Sequence, residues 1–315
     1  MALALVFPGQ GSQSTGMLAA LAAVEPVVRH TFDEASGVLG YDLWDLVQTG
    51  PEERLSATEV TQPAMLVGGV AVLRVWRERG GPEPAFVCGH SLGEFTALVC
   101  AGALEFRAAV ELVRFRGRAM QEAVPAGVGT IAAVLGLDDG VVEAVCAEAA
   151  QGAVVEAVNY NSPAQVVIAG ERAAVERALA AAKARGAKRA VHLPMSVPSH
   201  SSLMRPAAVR FAERVAGVTL VAPQSRYFSV ADAREHADPA EIRALLVRLI
   251  AGPVRWTDTV RALVASGATR LYECGPGKVL TGLNRRIERR PEIDCRALES
   301  PADLDGALAA LGKGG

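Results

Sequence analysis

Residues 85–102, AFVCGHSLGEFTALVCAG, restrict the fold of this chain more than any other stretch. Residues 85–88 are a short apolar run containing β-formers, 89–93 read Gly-His-Ser-Leu-Gly, and 94–100 open an apolar helix. A G-x-S-x-G between strand and helix is the context of a nucleophile elbow, and an ordinary βα connection is its bland alternative. The two glycines matter because a serine on so sharp a turn has strained backbone angles, and strand and helix can approach only where side chains are absent. Ser91 Oγ is thereby pushed into a cleft. The Leu92 backbone N–H, at the opening of the helix, is left to donate to an anion.

The chain has 315 residues, half of them hydrophobic. That allows a large core and one or two domains at about 100–200 residues each. A formal charge of −2 gives no general attraction to nucleic acid. Cysteines at 88, 100, 146, 274 and 295 form an odd, scattered set without C-x-x-C, which predicts free thiols in a reducing compartment and no metal site. The N-terminal MALALVFPGQGSQ lacks a basic lead and its apolar run ends at Phe7, so it reads as a buried first strand rather than a signal peptide. The longest apolar stretch, 64–73, is far short of the ~20 residues of a membrane helix. The expectation is a soluble, cytoplasmic monomer without a membrane partner.

Residues 3–7 form a strand leading into Pro8-Gly9-Gln10-Gly11-Ser12-Gln13, whose backbone N–H groups could cradle an anion. Ser14 stands where a dinucleotide fingerprint needs its third glycine, and no Gly-Lys-Ser/Thr follows. Helices through 17–39, broken at Pro26, and through 62–79 complete an α/β alternation with the elbow. The next helix, 105–123, carries Arg114, Arg116 and Arg118. Arg114 and Arg118 share a face, while Arg116 sits among Leu112, Val113, Ala119 and Met120. Arg116 therefore points towards the core or a cleft, where a guanidinium needs a partner: a substrate anion or a distant Asp or Glu.

Segments 130–135, 138–150, 154–158, 165–169, 172–185 and 188–193 spell βαββαβ, the ferredoxin-like order, so 127–194 reads as a subdomain inserted into a domain made of 1–126 and 195–315. Asn159 to Pro163 are expected to be the hairpin turn between its central strands. Of the histidines after the elbow, His192 lies in a strand and His236 in a charged loop. His200, at a loop-to-helix junction, is the best candidate for a base, although such a histidine is often a cap or surface residue. Helices over 201–215, 241–251, 256–266 and 279–290, a strand over 269–273 and a frayed tail after Leu311 complete the expectation. The turn Gly275 to Lys278 reads as a tight βα turn rather than a phosphate loop.

Several separated motifs coincide. FPGQGSQ (7–13), TQPA (61–64), GHSLGE (89–94), RGRAMQEAVPAG (116–127), NYNSPAQVVIAG (159–170), SVPSH (196–200), PVRW (253–256) and ECGPGKVLTGL (273–283), in this order and spacing, resemble the malonyl-coenzyme A:acyl carrier protein transacylases over nearly the whole chain. The resemblance implies an α/β-hydrolase-like core with the ferredoxin-like insert. It matches Ser91 to the family's nucleophile, His200 to its acid/base, Arg116 to the arginine that pairs with the malonyl carboxylate, and the backbone N–H groups of Gln10 and Leu92 to the oxyanion hole. Gln62, Asn159, Asn161 and Arg255 lie in the same motifs and are expected to support these groups. Arg255 departs from members with glutamine ahead of the tryptophan; the family's histidine is oriented by a backbone carbonyl, expected here at this position.

The implied reaction passes malonyl from coenzyme A to Ser91 and then to the phosphopantetheine thiol of acyl carrier protein, with no permanently bound cofactor. The acceptor belongs to fatty-acid synthesis or, alternatively, to polyketide synthesis. An acidic carrier would dock on a basic surface, for which Lys183, Arg185, Lys188 and Arg189, or Arg285, Arg286, Arg289 and Arg290, are candidates. A serine esterase or thioesterase is the rival enzyme, although an α/β-hydrolase normally adds an Asp or Glu between Ser and His in chain order. A catalytically silent carrier-binding scaffold is the rival from another class.

Overall fold

The computed structural model describes residues 2–125, 127–195 and 197–312. Along these the strands are β1 (Ala2–Phe7), β2 (Phe86–Gly89), β3 (Gly129–Leu135), β4 (Val155–Ser162), β5 (Gln165–Glu171), β6 (Arg189–His192), β7 (Arg226–Ser229), β8 (Arg234–His236), β9 (Ala268–Glu273) and β10 (Asp294–Ala297). They form two sheets, in the orders β10-β9-β1-β2-β7-β8 and β4-β5-β3-β6.

β1, ALALVF, is apolar on both faces and buried almost throughout, which suits only the middle of a sheet covered on both sides. It runs parallel to β2 and β9. Leu3, Leu5 and Phe7 pack into one apolar layer with the helices Pro26–Leu39, Thr58–Glu78 and Phe106–Glu122. Ala4 and Val6 pack into the other, with the helices Trp256–Ala265 and Val279–Ile287. Phe7 pairs with Gly89, so the loop after β1 and the elbow after β2 leave the sheet side by side at the carboxyl ends of their strands. That is where open parallel sheets place their ligands.

The second sheet is the ferredoxin-like insert. Its neighbouring strands are antiparallel, and the helices Asp139–Ala150 and Arg172–Ala184 cover one face through Ala132, Val134, Val166 and Ile168. The other face carries Ile131, Val158, Val167 and Ala169, with Leu193 and Met195 packed against them. Ala126 and Ser196, at the two crossings, and the last tail residues, 313–315, lie outside the described residues.

The expected hairpin turn is one difference from the sequence reading. Asn159 to Ser162 are the end of β4, and only Pro163 and Ala164 turn. These turn-forming residues stay extended because β4 has a partner on its outer edge: Tyr160 N–H donates to the Val254 carbonyl, and Val254 N–H to that of Val158. His236, expected in a loop, ends β8, an edge strand. β7, β8 and β10 and the helices Leu43–Thr49, Glu52–Leu55 and Pro301–Gly312 were not predicted; the strands are too short for an alternating pattern to register. The helix expected over 201–215 opens as a 3-10 turn, Ser202–Met204, before the α-helix Arg205–Ala216, which has Pro206 in its first turn. Among the described residues no helix is long and apolar enough to cross a membrane.

Candidate active site

Ser91 sits at the elbow with φ 53°, in the left-handed region. The turn needs its glycines: a Cβ on Gly89 would come within 1.9 Å of Gly93, and one on Gly93 within 2.1 Å of the Phe7 carbonyl oxygen. Gly9 admits the elbow in the same way, since its Cβ would meet the His90 carbonyl oxygen at 2.4 Å. This close packing brings the Gln10 loop against Ser91. Among the turn, loop and cap bonds of the described residues, the backbone N–H groups of Gln10 and Leu92 donate to no protein acceptor.

His200 comes from the loop after the insert. Ser91 Oγ donates to its Nε2 at 2.8 Å, and its Nδ1–H donates to the Leu249 carbonyl at 2.7 Å. A carbonyl only accepts, so Nδ1 carries the proton and Nε2 presents its lone pair to the serine. Burial, and next the positive charge of Arg116, push the His200 pKa down to about 3, so the imidazole is neutral. The orienting carbonyl belongs to Leu249, not to Arg255 as expected. Arg255 is exposed, lies near Asp258 and the Tyr160 ring, and gives its own carbonyl to Thr259. Its exposed side chain does not line the cleft.

Arg116 is only 2% exposed, as helical spacing predicts. It donates from Nη1 to Gln62 Oε1 at 2.9 Å and from Nη2 to Ser91 Oγ at 3.1 Å, while its buried Nε has no partner among the described residues. Among the described residues, the acid whose charge acts on it is Glu94, and the two form no ion pair. Burial lowers the Arg116 pKa to about 10 and the charge of Glu94 partly offsets this. Glu94 Oε1 accepts from Ser229 Oγ and the Val230 N–H, its Oε2 is buried without a partner among the described residues, and burial raises its own pKa to about 7. Arg116 is thus a desolvated cation beside Ser91 with no paired carboxylate among the described residues.

A cleft of about 420 Å³ joins these groups. Gln10, Gln62, Ser91, Leu92, Arg116 and His200 line its polar end. Ile131 and Val167 of the insert face Leu280 and Leu283 of the helix Val279–Ile287 along its apolar walls. Asn159 and Asn161 also line it; Asn159 Oδ1 is buried without a partner among the described residues, and Asn161 Oδ1 takes a hydrogen bond from His90 Nε2 at 2.8 Å. Sequence reasoning overlooked His90, though its place beside Ser91 was a signal. It could not have found Leu249, which acts through a backbone carbonyl. Among the described residues no group of three or more His, Cys, Asp or Glu side chains is placed to hold a metal ion.

A hydroxyl hydrogen-bonded to a neutral imidazole, two unspent N–H groups beside it and a desolvated guanidinium suit acyl transfer from a donor bearing a second carboxylate. Comparison with known proteins agrees with that chemistry. The acyl transferase domain family matches residues 4–286. The malonyl CoA-acyl carrier protein transacylase of Salmonella typhimurium is 54% identical over 305 residues, 97% of this chain and 98% of its own. The malonyl-CoA:acyl carrier protein transacylase structure from Xanthomonas oryzae pv. oryzae superposes with a TM-score of 0.96 at 55% identity, covering 98% of each chain. A malonyl-transacylase solved in complex with a type II PKS acyl-carrier protein gives a TM-score of 0.96 at 51% identity, covering 98% of this chain and 100% of that one. Matched over nearly its whole length, the chain belongs to the malonyl-CoA:acyl carrier protein transacylase family of acyltransferases.

Proposed function

We propose that the protein transfers malonyl from malonyl-coenzyme A to the phosphopantetheine thiol of an acyl carrier protein through a malonyl ester on Ser91, supplying extender units for fatty-acid synthesis. The observation that carries this is the buried triangle in which Ser91 Oγ donates to His200 and accepts from an Arg116 that has no carboxylate partner. His200 Nε2 takes the serine proton as Oγ attacks the thioester carbonyl. The N–H groups of Gln10 and Leu92 hold the oxyanion, the C–S bond breaks, and coenzyme A leaves as the thiol with the proton from His200. The carrier thiol then gives its proton to His200 and attacks the malonyl ester, and Ser91 recovers its proton. Arg116 binds the free carboxylate, held in line by Gln62 Oε1. Asn159 and Asn161 face the arm of the donor from the insert.

Coenzyme A and phosphopantetheine enter as substrates and leave; no resident cofactor is required. In this reading 127–194 serves as a subdomain carried by 1–126 and 195–315, and the enzyme works as a cytoplasmic monomer. Its five cysteines, all buried and unpaired, suit a reducing compartment. The likeness to a transacylase bound to a type II PKS carrier favours one further reading, in which the acceptor is a polyketide carrier.

Incubation with radiolabelled malonyl-coenzyme A followed by denaturation tests the proposal. Label retained on Ser91 and passed to a carrier supports it. Rapid release of free malonate would make the protein a hydrolase, and no label at all a non-catalytic binder. Relative transfer rates to fatty-acid and polyketide carriers separate the two acceptor readings.

A further inference from the structure

Strand β4 of the insert touches His90 beside Ser91, Val254 and the turn after His200. Its Asn161 bonds His90, the neighbour of Ser91. Its backbone at Val158 and Tyr160 pairs with Val254, a short stretch beyond the Leu249 carbonyl that orients His200. Its Glu156 carboxylate accepts from the Ser202 backbone N–H through one oxygen and from the Ser202 hydroxyl through the other, both at 2.7 Å.

The last contact bears most directly on the base. His200 has φ 69°, a left-handed conformation that costs a β-carbon residue of order 1–3 kcal/mol and persists only where the surroundings impose it. The bonds inside its loop are local: Ser199 N–H to the Val197 carbonyl, and Ser201 N–H and Oγ to the Pro198 carbonyl. They close the turn but do not fix its position relative to Ser91. On one side that position is set by Pro198, which packs where a Cβ on Gly129 of β3 would lie, 2.5 Å from its Cγ. On the other, Glu156 holds Ser202, while the bond from His200 Nδ1–H to the Leu249 carbonyl and the burial of Val197 and Met204 tie the loop to the larger unit. The 3-10 turn Ser202–Met204 starts two residues after His200, and its N-cap residue, Ser201, makes no side-chain capping bond. Glu156 supplies the cap from a different unit, with charge-assisted bonds to an orphan helix donor.

We propose that Glu156 is a positioning residue for His200, fixing the start of the helix that follows it so that Nε2 stays within hydrogen-bond reach of Ser91 Oγ in both half-reactions. Glu156 is not the missing acid of a triad, since the Leu249 carbonyl occupies Nδ1 and the carboxylate acts through Ser202. The inference rests on the reading of Ser91 as nucleophile and His200 as its base.

The test compares wild type, Glu156→Ala, Glu156→Gln and Glu156→Met. Two rates are measured well below the melting temperature: malonyl transfer, and labelling of Ser91 by a fluorophosphonate, which reports an activated serine whatever the natural acyl donor. Displacement of a catalytic group by about 1 Å can slow a reaction about 100-fold, so Glu156→Ala should lower both rates roughly 10- to 100-fold. KM for malonyl-coenzyme A should stay within about twofold, since binding groups are untouched. Glutamine can accept from the Ser202 N–H and donate to its hydroxyl, so Glu156→Gln should recover most of the rate; a loss as large as alanine's would contradict a positional role. Wild-type rates in Glu156→Ala, even with a lowered melting temperature, would overturn the inference and reduce Glu156 to a clamp between units. Should Glu156→Ala not fold, Glu156→Met, which refills the space but gives the Ser202 N–H and hydroxyl no oxygen acceptor, decides in the same way: slowed labelling supports the inference and an unchanged rate overturns it. A wild type labelled by the fluorophosphonate but never malonylated would instead sink the proposed function, while the Glu156 comparison would still read out.

Discussion

Arg116→Ala removes a guanidinium that is 2% exposed and bonded to Gln62 Oε1 and Ser91 Oγ. Burial has already lowered its pKa to about 10, so a substrate carboxylate meets a cation largely stripped of water. Breaking a buried, hydrogen-bonded charge pair of this kind costs about 2–5 kcal/mol. At about 1.4 kcal/mol per tenfold, kcat/KM for malonyl-coenzyme A should fall roughly 30- to 5,000-fold. Acetyl-coenzyme A brings no second carboxylate and should transfer as well or better, because no unneutralised cation then faces the acyl group. Stability should move the other way. A buried cation without a paired anion is destabilising, so Arg116→Met, which refills the space, should melt at or above wild type. Steady-state kinetics with both thioesters and one carrier, with melting curves, provide the assay. Equal losses for malonyl and acetyl transfer together with a lowered Tm would refute the carboxylate role and leave a structural arginine.

Ser91→Ala should give no malonyl adduct by intact-protein mass spectrometry; an adduct on the variant would place the nucleophile elsewhere. His200→Ala should slow both half-reactions by about 10²–10⁴-fold, the usual contribution of a general base. Because the His200 pKa is pushed down to about 3, kcat/KM for malonyl-coenzyme A should stay flat as pH falls through 6.5, with its acid limb well below; a limb at 6.5 or above would contradict the buried neutral base. The linked stability has the same sign: the unfolded chain protonates this histidine below about 6.5 while the folded one resists, so that contribution is present above 6.5 and lost as pH falls towards 3. Reversing charge at Lys188 and Arg189, or at Arg285 and Arg286, should raise KM for the carrier but not for malonyl-coenzyme A, with an effect that fades in salt. Unchanged carrier KM in both would put the docking surface elsewhere.

What the sequence disclosed was governed by local stereochemistry. Gly89 and Gly93 are required because backbone atoms stand where their Cβ atoms would be, so the elbow is written in residue types. Arg116 was legible because helical spacing fixes which way a side chain points, and the insert because two kinds of periodicity alternate along it. What escaped notice depended on pairing between distant segments. Asn159 to Ser162 favour turns, yet Val254 holds them extended, a tertiary contact overriding propensity. Leu249 contributes a carbonyl, which every residue has, so no residue type could mark it, and the motif around Trp256 drew attention to Arg255 instead. Glu156 lies among the acids between Ser91 and His200 in chain order. It is invisible to a search for an imidazole partner because its contact is with the residue two beyond the histidine.

Those distant pairings have a consequence for how the site is held together. Ser91 and His200 are both non-glycine residues at positive φ, and each is kept there by a different body of structure. The strain at Ser91 is balanced within the core, where β1, β2 and the helix Gly93–Cys100 close on three glycines. His200 is braced by the insert, through Pro198 against Gly129, Glu156 on Ser202 and β4 on Val254, and by the larger unit, through the Leu249 carbonyl on Nδ1 and the burial of Val197 and Met204. The 2.8 Å bond between them therefore measures how the insert sits on the core. Both groups lie outside the insert in the chain, yet on our proposal their alignment depends on contacts with it as well as on the Leu249 carbonyl. The insert walls the cleft with Ile131 and Val167 and, on the same proposal, helps set the reach of the base.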